Sequence, residues 1–227
     1  MDVLDDHSRV LIAARVCSGP TATAAWEAFA HGVADWGIPA RVMSDNGLCF
    51  TGRFSSGGEV DFERQLRALG VAHLPSSPSH PQTCGKLERS HQTTKRWLAV
   101  DGLADTEAEL QDQLDRWRQH YNHHRPHSAA AGRSPIIRWL AQTPSGPSSP
   151  LPGPRRTSLH HVSSGGTIGW GSYNIAVNSA LAGQHVLVVA VDDELTVHGQ
   201  TGIIRQLTID RTRRYQPNGR PPGRPRH

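Results

Sequence analysis

Residues 143–158 read Thr-Pro-Ser-Gly-Pro-Ser-Ser-Pro-Leu-Pro-Gly-Pro-Arg-Arg-Thr-Ser. Proline removes backbone donors and resists both helix and inner strand, and Leu151 is the one sizeable apolar side chain in the stretch. Such a segment has almost nothing to bury, so it is expected to be a linker. The 227-residue chain therefore divides into two parts that must each build a core: residues 1–142 and residues 159–210, with a basic tail at 211–227 that is expected to be disordered.

The two parts differ in texture. Upstream, strand and helix signals alternate. Val10 to Cys17 is an aliphatic, β-branched run, and Trp26, Phe29, Ala30 and Val33 then recur at helical spacing before Gly37. Arg41 to Ser44 predicts a short strand; Phe62, Leu66 and Leu69 predict a helix closed by Gly70; Val71 to Leu74 predicts another short strand. A helix is expected from about Gly85 to Leu98. Thr106 with Glu109 has capping-box form and opens another, with Leu110, Leu114, Trp117 and Tyr121 on one face. This order is that of an α/β domain. Downstream, the short β-rich runs Tyr173 to Asn178, His185 to Val191, Leu195 to His198 and Ile203 to Ile209 are separated by turn residues. They predict a small all-β barrel.

Charge follows the same division. Residues 1–143 hold 15 Lys and Arg against 16 Asp and Glu, whereas residues 144–227 hold 9 against 4. Arg211, Arg213, Arg214, Arg220, Arg224 and Arg226 crowd the last 17 residues with no acid among them. Such a tail suits a phosphate partner, or else serves only solubility. No apolar stretch reaches the ~18 residues of a membrane span, and the acidic start Met-Asp-Val-Leu-Asp-Asp is unlike a signal peptide. A cytoplasmic protein with no membrane partner is expected, associated with the nucleoid when on DNA. Cys17, Cys49 and Cys84 are odd in number and widely spaced, which argues against a disulfide framework and a zinc ribbon. His120, His123, His124 and His127 lack the paired Cys or acid that a zinc site uses. Walker loops and Gly-x-Ser-x-Gly elbows are absent, which removes ATP-driven and acyl-transfer chemistry.

Two segments carry chemistry. Asp45, in Ser44-Asp45-Asn46-Gly47, sits where a short strand ends, the edge at which α/β sheets usually bind ligands. Glu88, in the run Ser79-His80-Pro81-Gln82-Thr83-Cys84-Gly85-Lys86-Leu87-Glu88-Arg89, falls in the first turn of a helix. Carboxylates on separate rigid elements can share hard divalent cations, and two such cations can clamp the attacking and leaving oxygens of a phosphodiester exchange. Taken singly, Asp45 is an ordinary turn acid, and Glu88 a favourable charge at a helix N-terminus. On a helix, Gln92 and Lys95 share the face of Glu88, where they could meet a phosphate, while Lys86 and Arg89 flank it.

Taken together, these segments resemble the catalytic core of the DDE transposases of bacterial insertion sequences, relatives of retroviral integrases. The resemblance rests on Asp5-Asp6-His7-Ser8-Arg9, on Ser44-Asp45-Asn46-Gly47 with Phe50, on His80-Pro81-Gln82-Thr83 through Glu88-Arg89 and His91, and on Tyr121-Asn122 with Arg125-Pro126-His127. It implies a ribonuclease H-like fold, Mg2+ or Mn2+ as cofactor, and a homo-multimer acting on element ends and target DNA. It places Asp45 and Glu88, with 42 residues between them, at the second and third catalytic and metal-binding carboxylates. Lys86, Arg89, Gln92, Lys95, Arg211, Arg213 and Arg214 are the candidate DNA contacts. The barrel resembles the small DNA-binding domain of the same transposases.

The sequence departs from the family at the start. The first catalytic Asp of these enzymes lies on a strand that precedes the hairpin turn matched by residues 5–9, so that strand is expected to be missing. Asp2, Asp5 and Asp6 align with the hairpin and do not replace it. Unpaired edges cost ~1–3 kcal/mol per buried backbone group, so a destabilised core is expected. Residues 1–227 are accordingly read as an N-terminally truncated transposase or integrase core, incompetent alone. The alternatives are a catalytically dead remnant that only binds DNA and a module whose barrel binds protein.

Overall fold

A computed structural model describes residues 1–52, 58–76, 85–147 and 155–218. The chain forms two compact units, Met1–Pro150 and Leu151–His227.

In the first unit, β1 (Asp2–Leu4) and β2 (Leu11–Ala14) form an antiparallel hairpin. Its turn is the expected one, closed by Asp5 N to Val10 O at 2.9 Å and Arg9 N to Asp5 O at 3.0 Å. The Asp5 carboxylate fixes the turn further by accepting from Ser8 N and Ser8 Oγ, both at 2.6 Å. Helix α1 (Ala22–Trp36) begins where the Thr21 hydroxyl accepts from Ala24 N, and ends at Gly37, whose φ of 85° suits glycine. Strand β3 (Arg41–Ser44) pairs in parallel with β4 (Ala72–Pro75), and α2 (Asp61–Ala68) connects them, a short βαβ crossover. Helices α3 (Gly85–Asp101), α4 (Glu107–His123) and α5 (Pro135–Leu140) complete the unit. Thr106 and Glu109 form the expected capping box at the start of α4, and Leu114, Trp117 and Tyr121 bury against Leu11 and Ala14. The hairpin and the β3–β4 pair are separate two-stranded sheets.

One feature of α4 lies outside the apolar pattern. Gln111, Arg118 and Asn122 fall at i, i+7 and i+11, a polar stripe beside the apolar one. They bond the backbone of β2 and its extension: Asn122 accepts from Leu11 N (2.8 Å) and donates to Leu11 O (2.9 Å). Gln111 accepts from Val16 N (2.9 Å) and donates to Ala14 O (3.0 Å), and Arg118 donates to Ile12 O (3.2 Å). The helix thus supplies by side chains what a neighbouring strand would supply by backbone, and covers that edge.

The second unit contains β5 (Arg155–His161), β6 (Thr167–Trp170), β7 (Tyr173–Ala176), β8 (His185–Val191), β9 (Glu194–Gly199), β10 (Gly202–Thr208) and β11 (Tyr215–Gln216). They pair as two sheets, β10-β9-β8-β5 and β11-β7-β6, which share a core including Ile168, Ile175, Val186, Val188, Leu195 and Val197. Two boundaries differ from those expected. The linker does not extend to residue 158, because β5 starts at Arg155 and pairs residue for residue with β8 from Arg155↔Val191 to His161↔His185. Its polar sequence carries little local β signal, and the long ladder with β8 decides. Nor is the tail wholly disordered from residue 211: β11 joins β7 in parallel, and Gln216 is buried, donating to the Asp210 and Arg213 carbonyls and accepting from Asp210 N. Arg205 reinforces this by donating to the carbonyls of Ala176, Gln216 and Pro217. Residues 219–227, with Arg220, Arg224 and Arg226, lie outside the described residues.

Candidate functional site

Asp45 follows directly on β3, at the C-terminal edge of the parallel pair, as its place in the sequence predicted. It is exposed, and its Oδ1 accepts from Gly47 N at 2.8 Å, which curls the turn around the carboxylate. A Cβ on Gly47 would come within 2.9 Å of that oxygen, so the turn is shaped around a residue without a side chain. Burial, and then the charge of Asp45, push the nearby Cys49 thiol above its ordinary pKa, which keeps it protonated.

Behind Asp45 lies a polar chain that the motifs did not reveal. Ser44 Oγ donates to the Asp45 carbonyl (2.8 Å) and lies 2.9 Å from His73 Nε2, and His73 Nδ1 lies 3.6 Å from Glu63 Oε1. Glu63 in turn accepts from Thr51 Oγ1, Gly52 N and Val60 N, at 2.7, 3.2 and 3.1 Å. Burial raises the Glu63 pKa, but these hydrogen bonds and the His73 charge outweigh it, so the carboxyl titrates below its ordinary range. Burial lowers the His73 pKa, with Glu63 offsetting part of the shift. Serine, histidine and carboxylate in line suggest a nucleophile, yet the Ser44 hydroxyl is spent on the Asp45 carbonyl. The chain fastens β3, β4, α2 and the Asp45 turn to one another. His73 sits opposite Val42 in the parallel pair, and Ser44, two residues on, lies on the same face of the sheet, so only the strand register brings the two side chains together.

Glu88 lies in the first turn of α3 and is exposed, with Gln92 and Lys95 exposed on the same face. The reason is on the opposite side of the helix. Ser90 and Thr94 are buried, Thr94 Oγ1 accepts from Trp117 Nε1 at 2.8 Å, and the Trp97 and Trp117 rings lie 5.0 Å apart. Lys86 is held in an ion pair with Asp6 at 2.6 Å, and His91 Nε2 lies 3.1 Å from Asp2 Oδ2, so two of the hairpin acids tie the hairpin to α3. No contact joins Asp45 to Glu88 among the described residues, and these contain no group of three His, Cys, Asp or Glu able to hold a metal. Their carboxylate oxygens are of the type that Mg2+ and Mn2+ prefer. The motif residues His80 to Cys84 lie outside the described residues.

Arg211 forms a bidentate pair with Asp193, both bonds at 2.9 Å, and Arg213 pairs with Asp210 at 3.2 Å. Arg214 is exposed. The acids that neutralise two of these three arginines come from outside the tail, which is why its composition concealed them. A shallow depression on α4 around Asp112, Arg116 and His124 includes neither Asp45 nor Glu88. Both carboxylates stand on open surface.

The first unit is a mixed assembly of helices and two-stranded sheets. Residues 69–135 match the integrase core domain family, a span that contains Glu88, Asn122, Arg125 and His127. The chain is 35% identical over 63 residues to the Pol-related polyprotein of the mouse intracisternal A-particle MIA14, covering 28% of this chain and 6% of the relative. It is 30% identical over 84 residues to the Gag-Pol polyprotein of walleye dermal sarcoma virus, covering 37% of this chain and 4% of that one. The chain thus spans a small part of the curated relatives it matches. Among solved structures it is similar to a chain of a simian T-cell lymphotropic virus intasome in complex with PP2A regulatory subunit B56 gamma, with a TM-score of 0.51, 16% identity, and 91% of this chain and 71% of that chain covered. The catalytic core domain of BIV integrase gives a TM-score of 0.48 at 23% identity, over 62% of this chain and 84% of that chain. Among the described residues, no helix is long and apolar enough to cross a membrane.

Proposed function

We propose that the chain is the core of a transposase or integrase that acts in DNA integration, cutting and joining phosphodiesters at element ends and in target DNA. The observation that carries this reading is the integrase core match over residues 69–135, with Glu88 exposed on α3 and Asp45 presented at the end of β3. Asp45 and Glu88 would hold Mg2+ or Mn2+, which when bound polarises the phosphodiester and stabilises charge on the exchanging oxygens. This chain's own residues orient and bind. The Ser44–His73–Glu63 chain fixes the backbone that carries Asp45, Gln92 and Lys95 extend the face of Glu88 towards a phosphate, and Arg89 adds charge beside it. Lys86 reaches phosphate by exchanging its Asp6 partner.

Two further parts belong to the reading. The separate sheets β1–β2 and β3–β4 suit a core whose central strand, carrying the first acid, is not among residues 1–227, which would leave this chain unable to cut alone. The two sheets of the second unit are read as the small DNA-binding barrel, with Arg214 free for phosphate and the Arg211 and Arg213 pairs on the surface. Multimers on DNA, an insertion-sequence origin and a cytoplasmic location follow the same reading.

The test is DNA binding and strand transfer by the 227-residue chain with duplex ends in Mg2+ or Mn2+, beside Glu88→Gln. Salt-sensitive binding that Glu88→Gln leaves intact is expected, with no cutting until an upstream strand bearing an aspartate is supplied. Cutting that appears with that strand and disappears with Glu88→Gln supports the enzyme. Absence of cutting with the strand present leaves a DNA-binding remnant, and absence of binding at low salt favours a protein-binding second unit.

A further inference from the structure

Elements far apart in the first unit bring basic side chains to one place. His7 and Arg9 come from the hairpin turn, Arg89 from the start of α3, Arg125 and His127 from the segment after α4, and Arg138 from α5. Arg138 Nε and Nη2 lie 3.4 Å from the ring nitrogens of His7, and its Nη1 bonds the Ala129 carbonyl, which joins α5 to the hairpin. The Arg125 guanidinium lies 5.6 Å from the Tyr121 ring centroid, and the His127 ring packs edge-on against Tyr121 at 6.2 Å. Burial, and then the charges of Arg125, Arg9, Arg89 and Arg138, hold the His127 pKa below its ordinary value, so four guanidinium groups act on one ring. The one ion pair these arginines make among the described residues is Arg9 with Asp6, at 3.6 Å, and Asp6 is shared with Lys86. Arg9 Nη1 is buried without a hydrogen-bond partner among the described residues.

Crowded like charges raise the energy of the unliganded protein, and an anion seated among them recovers it. The donor set suits one anion class. Guanidinium forks match the oxygens of phosphate, and His127 adds a further donor: its Nδ1 accepts from Ala129 N at 3.1 Å, which places the proton of the neutral ring on Nε2. His7 and Arg89 are exposed, and Arg9, Arg125, His127 and Arg138 are half-buried, so the group opens as a surface. We infer that His7, Arg9, Arg89, Arg125, His127 and Arg138 form a phosphate-binding surface that seats the DNA backbone on the hairpin, α3 and α5, beside the helical turn that carries Glu88. This rests on the DNA-processing reading above and extends it to residues outside the carboxylate site.

The test uses the full chain. Duplex DNA binding is followed by fluorescence anisotropy from low to moderate salt, for the unaltered protein, for Arg125→Gln with Arg138→Gln, for Arg89→Gln, and for Arg67→Gln, whose charge is already paired with Glu59. The double variant should weaken binding and reduce the slope of log affinity against log salt by about 2, Arg89→Gln by about 1, and Arg67→Gln by nothing measurable. In the unaltered protein, NMR titration of His127 should show its pKa rising when DNA is added. Inorganic phosphate at the same phosphate concentration should move it much less. Should the double variant fail to fold, Arg89→Gln and the His127 titration decide. DNA binding with unchanged salt slopes and an unmoved His127 overturns the surface while leaving the DNA-processing reading intact. An equal response to inorganic phosphate overturns the DNA assignment. No DNA binding by the unaltered chain overturns both.

Discussion

Replacing Asn122 with alanine tests whether a helix side chain can satisfy the backbone of a strand edge. Asn122 is 2% exposed and Leu11 is fully buried, so water cannot replace the two bonds that Asn122 makes to Leu11 N and O. Each buried backbone group left unpaired costs about 1–3 kcal/mol, so Asn122→Ala should destabilise the first unit by about 2–6 kcal/mol, a large part of the ~5–15 kcal/mol typical of a domain. Five of the six tryptophans, all except Trp170, lie in this unit, so urea unfolding followed by tryptophan fluorescence reports mainly on it. Asn122→Asp sharpens the test. It keeps the acceptor for Leu11 N but sets a carboxylate against Leu11 O. Protonating that carboxylate restores a donor, so this variant should gain stability relative to Asn122→Ala as pH falls. A loss under about 0.5 kcal/mol for Asn122→Ala, or no pH-dependent divergence between the two, refutes the argument.

Other outcomes follow from particular contacts. His198 is buried in β9, and burial lowers its pKa to about 4. Its folded pKa lies below the unfolded value, so the second unit should be most stable above pH ~6.5 and lose up to about 3 kcal/mol as pH falls towards 4. Equilibrium unfolding against pH should show that limb, and His198→Phe should lack it. Glu63 has a depressed pKa, so the stability it contributes is present above the unfolded carboxylate range and disappears as pH falls through the folded value. Glu63→Ala strips an acceptor from Thr51, Gly52 and Val60, and hydrogen exchange should show lost protection of the amides of Gly52 and Val60. Gly166 has φ of 73°, and a Cβ there would lie 2.3 Å from Ser179 N. Gly166→Ala should therefore cost about 1–3 kcal/mol or more in thermal unfolding of the second unit, and a melt like that of the unaltered protein would contradict the geometry.

Much of this protein is determined by local pattern. Helical spacing with Thr21 and Gly37 at its ends sets α1, the Thr106–Glu109 box sets the start of α4, and Asp5 and Ser8 set the hairpin turn, because each device acts within a few residues. The carboxylates were legible for the same reason: Asp45 is placed by the end of a strand and Glu88 by the first turn of a helix. Only the tertiary structure decided the rest. Asn122 bonds Leu11 across 111 residues, Arg138 reaches His7 across 131, and Asp193 claims Arg211 from the strand connection that precedes β9. β5 is a strand because β8 lies beside it, and β11 because β7 does. Periodicity records which face of an element is apolar, but hydrogen bonds and charge depend on which polar groups the folded chain brings within a few ångströms, and separation along the chain does not encode that distance.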